Sequence, residues 1–120
     1  MKRRTLLGAM PLAARGGGFE LRDISAASVE VLENGRPALV YNHGMMLAEG
    51  VEEKYRRACY VHPVYAPDGT VVTDDFPKDH PHHRGMCWSW PIVKFGGKVH
   101  DVWAVIGMHQ RFVRWKKKEA

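Results

Sequence analysis

From Phe19 onward, apolar and polar positions alternate in short runs that follow a period of two rather than 3.6. In "SVEVLENGRPALVY", Val29 and Val31 alternate with polar neighbours, and Asn34-Gly35 is the strongest short hairpin signal. "CYVHPVY" is an aromatic and β-branched run closed by Pro67-Asp68-Gly69, whose residue types suit a turn. "TVV" then continues as a strand into a polar stretch. In "GMCWSWPIVKF", Met86, Trp88, Trp90 and Ile92 fall on one face of an extended chain, and Gly96-Gly97 predicts another hairpin turn. "HDVWAVIGMHQRFVRW" reads as one or two further strands. Residues 45–57 contain Gly50 and have weak periodicity, so they predict no more than a short helical turn. Many short strands without a long amphipathic helix predict an all-β, mainly antiparallel β-sandwich over residues 19–120.

Both ends alter that picture. "QRFVRWKKKEA" stops directly after a strand-like run, without a turn or cap. A sandwich needs further strands to protect its edges, so the expectation is a domain truncated at its C-terminus or an edge covered by a partner. At the start, Lys2, Arg3 and Arg4 precede an apolar run from Leu6 to Ala14, which is the order of an export signal. The reading for residues 1–18 is a twin-arginine-type signal or a disordered terminus, and hence an exported, periplasmic or extracellular protein.

The formal charge of +5 rests largely on Lys2, Arg3, Arg4 and Lys116 to Lys118. The body between is close to neutral and lacks the basic stripe that nucleic acid requires. No apolar run approaches the roughly 20 residues of a membrane-spanning helix. Cys59 and Cys87 form no CxxC pair, which argues against a zinc knuckle or thioredoxin-type site. They are either one disulfide or two free thiols.

The chemistry concentrates in "DDFPKDHPHHRG", residues 74–85. Pro81 biases His80 toward extended backbone, and Pro77 does the same for Phe76. An extended chain would project His80 and His82 to one side, about 6–7 Å apart, where two imidazoles can share a divalent transition metal. His83 would point the other way unless the chain turns at Arg84-Gly85. Asp74, Asp75 or Asp79 could complete or orient such a set. The preferred reading uses the segment without metal. His82 and His83 act as acid–base groups beside Asp79, and Arg84 grips an anionic group. His62, Asp75 and Lys78 then contact a small-molecule or glycan substrate. Trp88 and Trp90 offer a stacking platform for a sugar, although core packing is the commoner use of such residues. His43, His100 and His109 read as local hydrogen-bonding residues.

The stretch "YVHPVYAPDGTVVTDDFPKDHPHHRGMCWSWPIVKFGGKVHDVW" resembles a bacterial family commonly labelled "methane oxygenase PmoA", most specifically from His62 to Trp90. The label would imply a metal-dependent oxidoreductase, yet a membrane methane oxygenase subunit needs several apolar spans that this sequence lacks. Members of the family look like longer, exported proteins of polysaccharide-degrading bacteria. The resemblance implies a β-sandwich akin to the large sandwiches of sugar mutarotases and polysaccharide lyases. It also implies a sugar pocket lined by His62, Asp79, His80, His82, His83 and Arg84. The resulting expectation is a carbohydrate-processing or carbohydrate-binding protein, with the oxidoreductase or a non-catalytic fragment as alternatives.

Overall fold

A computed structural model describes residues 18–120. The segment read as an export signal lies outside the described residues, except for Gly18. Strands β1 (Phe19–Ser25), β2 (Ser28–Glu33), β3 (Arg36–Asn42), β4 (Tyr60–Val64) and β5 (Met86–Cys87) form one antiparallel sheet in chain order. Strands β6 (Val93–Phe95) and β7 (Lys98–His100) pair as a second, two-stranded sheet. The fold is all-β and sandwich-like, as the short alternating runs predict.

The Asn34-Gly35 turn closes β2 on β3. Both residues have positive φ, 52° and 78°, as a hairpin turn matching the twist of its strands requires. Val29, Leu32 and Val40 from this hairpin are buried with Ala58, Tyr60 and Val102. Polar groups inside the sheet are paired. Arg22 donates to buried Glu30, its direct cross-strand partner. Ser28 donates to Asn42 Oδ1 at 2.7 Å, and Asn42 Nδ2 donates to the His62 carbonyl at 2.8 Å, so one buried chain of bonds crosses three strands.

Several expected strands are shorter than the pattern suggested. "TVV" contributes only an isolated bridge, Tyr65 to Val71, beside the turn at Pro67-Asp68-Gly69. Residues 45–57 yield one 3-10 turn at Glu53–Tyr55. Pro91 has no N–H to continue a ladder, and "GMCWSWPIVKF" is strand only at its ends. Met86, Trp88, Trp90 and Ile92 are exposed rather than packed in a core. After β7 the chain turns where a strand was expected. Asp101 accepts the Ala104 amide at 2.7 Å and pairs with Ile106, which removes this stretch from any ladder.

The C-terminal segment returns across the large sheet. Phe112 lies 4.7 Å from the His43 ring, and Trp115 lies 5.9 Å from Tyr41 on β3. His43 is therefore a buried member of an aromatic cluster. Lys118 reaches Asp23 on β1 and stands over Trp115, so this end of the basic tail is held.

Gly85 ties the polar loop to β4. Its φ is +46°, and a Cβ there would collide with the Val61 carbonyl and come within 2.8 Å of His62 Cβ. Around Gly35 there is open space. Gly35→Ala should cost about 1 kcal/mol, from its backbone conformation alone. Gly85→Ala should cost roughly 3 kcal/mol, because steric displacement of β4 adds to the strain. Urea denaturation midpoints of the two variants check the contrast.

Candidate functional site

The stretch from Asp74 to Gly85 is a loop closed at its base. Asp75 and Arg84 pair as an isolated antiparallel bridge, and the Gly85 amide donates to the Asp74 carbonyl at 2.8 Å. The Arg84 guanidinium, whose residue is only 1% exposed, occupies the interior of this closure. It forms a salt bridge with Asp75, donates to the Tyr60 hydroxyl, and donates to the Tyr55 carbonyl at 2.9 Å. The Phe76 ring covers it, with its centre 3.3 Å from the guanidinium carbon. Phe76 has φ of 54°, an uncommon value for a bulky residue, and this contact accompanies it. Tyr60 completes the set by donating to Asp75 at 2.9 Å. Burial, reinforced by the Asp75 carboxylate, pushes the Tyr60 phenol well above its ordinary pKa despite the opposing charge of Arg84.

Above this base the chain makes two successive turns. The His80 amide donates to Pro77 and the His83 amide to His80, at 3.1 and 2.9 Å. Pro81 thus sits at the second position of the second turn, where its fixed φ is favourable. The extended arrangement expected for His80 and His82 does not occur. The turns instead stack His80 on His83, with ring centres 4.7 Å apart and planes 13° from parallel. His82 meets His83 edge-on at 4.5 Å and the Trp103 indole at 4.6 Å. Asp79 Oδ2 lies 3.0 Å from His80 Nδ1, and this hydrogen bond holds the Asp79 carboxyl below its usual range.

His82 Nε2 is buried without a hydrogen-bond partner. Desolvation lowers the His82 pKa, and the positive charges of His83, His80 and Arg57 act in the same direction against Asp101. The neutral ring is thereby favoured, leaving one nitrogen able to accept a proton. Residues 28–120 match the model of a family of unknown function (DUF6807). The chain belongs to this family. The match begins at the first residue of β2 and includes the whole loop. The family's description attaches no methane-oxygenase name to it. No curated protein and no solved structure matches the chain.

The DUF6807 loop divides the predicted site residues between two environments. His80, His82, His83 and Asp79 gather at the surface, and Lys78 is exposed in the first turn. Arg84 and Asp75 face inward. Arg84 therefore cannot grip an external anion as the sequence suggested, because its donors are already engaged in the interior. His62 Nδ1 lies 2.9 Å from the Thr73 hydroxyl, which places it beside the loop's entry. Trp88 and Trp90 form an exposed edge-to-face pair with centres 5.8 Å apart. Among the described residues, no three His, Cys, Asp or Glu groups gather as a metal-ligand set, so the His80/His82 metal expectation gains no third ligand. Cys59 and Cys87 are free thiols.

Sequence reasoning missed Trp103 and Arg57. Trp103 sat inside an apolar run read as a strand. Arg57 is only 2% exposed and donates to the Val102 and Trp103 carbonyls and to Cys87 Sγ. An arginine entering the apolar run "RACYV" was the available sign of a buried cation.

Two outcomes follow from this geometry. Asp75→Asn removes the buried charge opposite Arg84 and should destabilise the protein by about 3–5 kcal/mol, measured by denaturant titration. In an NMR titration, His82 should show a midpoint below that of a histidine in an unstructured peptide, and His83→Gln should raise it. The sign for stability follows. The unfolded chain takes up the His82 proton first, so this histidine's contribution to folding is lost as pH falls below about 6.5.

Proposed function

We propose that the protein binds or processes carbohydrate at the surface formed by His80, His82, His83, Asp79 and Trp103. One observation carries the reading: a histidine favoured in its neutral form, with an unpaired Nε2, lies against an exposed indole. A pyranose presents an apolar C–H face to an indole and hydroxyls around its rim. With its proton on Nδ1 and a small side-chain shift that opens the buried Nε2, His82 accepts a hydroxyl proton, which is the first step of acid–base chemistry at a hydroxyl or anomeric carbon. Asp79 orients His80 on the flank of this group. The resemblance read in the sequence implies a sandwich akin to those of mutarotases and polysaccharide lyases, which adds an analogy of fold alone.

The basic and apolar pattern of residues 1–18 supports action outside the cytoplasm, where such substrates occur. Among the described residues, no helix is long and apolar enough to cross a membrane. The oxidoreductase reading attached to the methane-oxygenase label has no comparable observation in its favour.

Calorimetric titration with cello-, xylo-, manno- and chito-oligosaccharides tests the proposal. Wild-type protein should bind at least one series. His82→Ala and His83→Ala should each weaken that binding tenfold or more, about 1.4 kcal/mol, while circular dichroism and the melting temperature stay near wild type. Absence of binding to every series, or full affinity in both folded variants, would refute the reading.

A further inference from the structure

Among the described residues, two buried side-chain atoms lack a hydrogen-bond partner, His82 Nε2 and Gln110 Oε1. Each adjoins an exposed tryptophan. His82 packs against Trp103, which is 41% exposed. Gln110 Nε2 donates to the Trp88 carbonyl at 2.6 Å, and Trp88 is 74% exposed. Trp88 and Gln110 also line one cleft of about 430 Å³, together with Tyr41, Tyr60 and Met86.

Trp90 joins the two places. Its ring meets Trp88 at 5.8 Å, and its carbonyl accepts the Val102 and Trp103 amides at 3.0 and 3.2 Å. The backbone that presents Trp103 is therefore fixed to the backbone that presents Trp90. Trp88 at the Gln110 cleft and Trp103 at the histidine loop are thus linked through Trp90, by ring contact on one side and by backbone hydrogen bonds on the other.

A buried polar atom without a partner costs about 1–3 kcal/mol, and it is relieved by a ligand that brings a hydrogen-bonding group. Gln110 Oε1 requires a donor, and a hydroxyl entering beside Trp88 supplies one after a small side-chain adjustment. His82 Nε2 is satisfied by a second hydroxyl, in either direction according to its tautomer. A purely apolar partner would cover Trp88 and Met86 but leave both polar atoms unpaired. An unsatisfied polar atom beside an exposed tryptophan thus occurs twice, once against the Trp103 ring and once in the cleft that Trp88 lines, and the Trp90 backbone ties the two places together.

We propose that Trp88 and Gln110 form a second sugar-binding subsite, connected through Trp90 to the Trp103–His82 surface, and that the ligand is an oligosaccharide chain rather than a free monosaccharide. This rests on the carbohydrate reading above and gives it a substrate class. The distal subsite holds one unit by stacking and hydroxyl bonding, while another unit of the same chain occupies the histidine surface.

The test measures binding of cello-, xylo-, manno- and chito-oligosaccharides of one to six units to the full chain by calorimetry. In the series that binds, affinity should rise at least tenfold with length. Trp88→Ala, at an exposed position, should keep the wild-type melting temperature, retain affinity for the shortest ligand and lose the gain with length. Gln110→Met should reduce the same gain, with the thermal melt reporting whether it folds. Length-independent binding by wild type overturns the subsite but leaves the carbohydrate reading standing. So does a Trp88→Ala variant that keeps the full gain. A wild-type dimer that Trp88→Ala dissociates in sedimentation without sugar identifies the face as a protein contact and also overturns the subsite. Failure of wild type to bind any sugar overturns both the subsite and the reading beneath it.

Discussion

The buried guanidinium of Arg84 holds together three parts of the molecule that are distant in sequence. It reaches Asp75 across the base of the loop, Tyr60 on β4, and the Tyr55 carbonyl at the end of the 3-10 turn. Such a pair is weak evidence for net stability, because desolvating two charges offsets most of their attraction. Its consequence is positional. With Arg84 inside, Asp75 and Tyr60 meet its donors and Phe76 covers its face. That placement sets where the loop leaves the sheet and where it returns.

Arg57 extends the same logic toward the surface. Instead of a carboxylate, it uses the carbonyls of Val102 and Trp103, so the positive charge is stabilised by backbone dipoles. Burial and the nearby charge of Arg84 lower its pKa, although Cys87 and Asp101 counteract them in part. One side chain therefore acts on the candidate site in two ways. Its hydrogen bonds fix the backbone that presents Trp103 to His82 and His83. Its charge makes His82 harder to protonate.

The hairpin at Asn34-Gly35 was legible in the sequence because its turn needs positive φ at two adjacent positions, which few residue pairs adopt easily. The all-β class was legible because period-two runs occur without a competing helical period. The concentration of chemistry in residues 74–85 was also visible. Its geometry was not. Pro77 and Pro81 suit both an extended segment and a turn, and the backbone bonds from His80 to Pro77 and from His83 to His80 select the turns. Arg84 read as a surface ligand because a charge seldom lies fully inside unless it is paired, and its partners come from three separate segments. Trp88 and Trp90 alternate as strand residues do, but β5 ends at Cys87, before either of them.

The choice of turns over an extended strand also decides what chemistry the loop suits. An extended H-x-H pair would aim two imidazoles at one point, as a metal clamp does. The two turns stack His80 on His83 and set His82 edge-on, so the rings influence one another mainly through charge. Two unit charges about 4–5 Å apart interact by roughly 1 kcal/mol in water and by more where water is partly excluded. Each proton taken up by a neighbouring ring therefore opposes protonation of His82. A group held neutral in this way, next to a fixed indole, is better suited to accepting a proton from a stacked, hydroxyl-bearing ligand than to holding a permanent charge. The same twelve residues thus provide an inward pair that fixes geometry and an outward cluster in which the protonation of His82 responds to its neighbours.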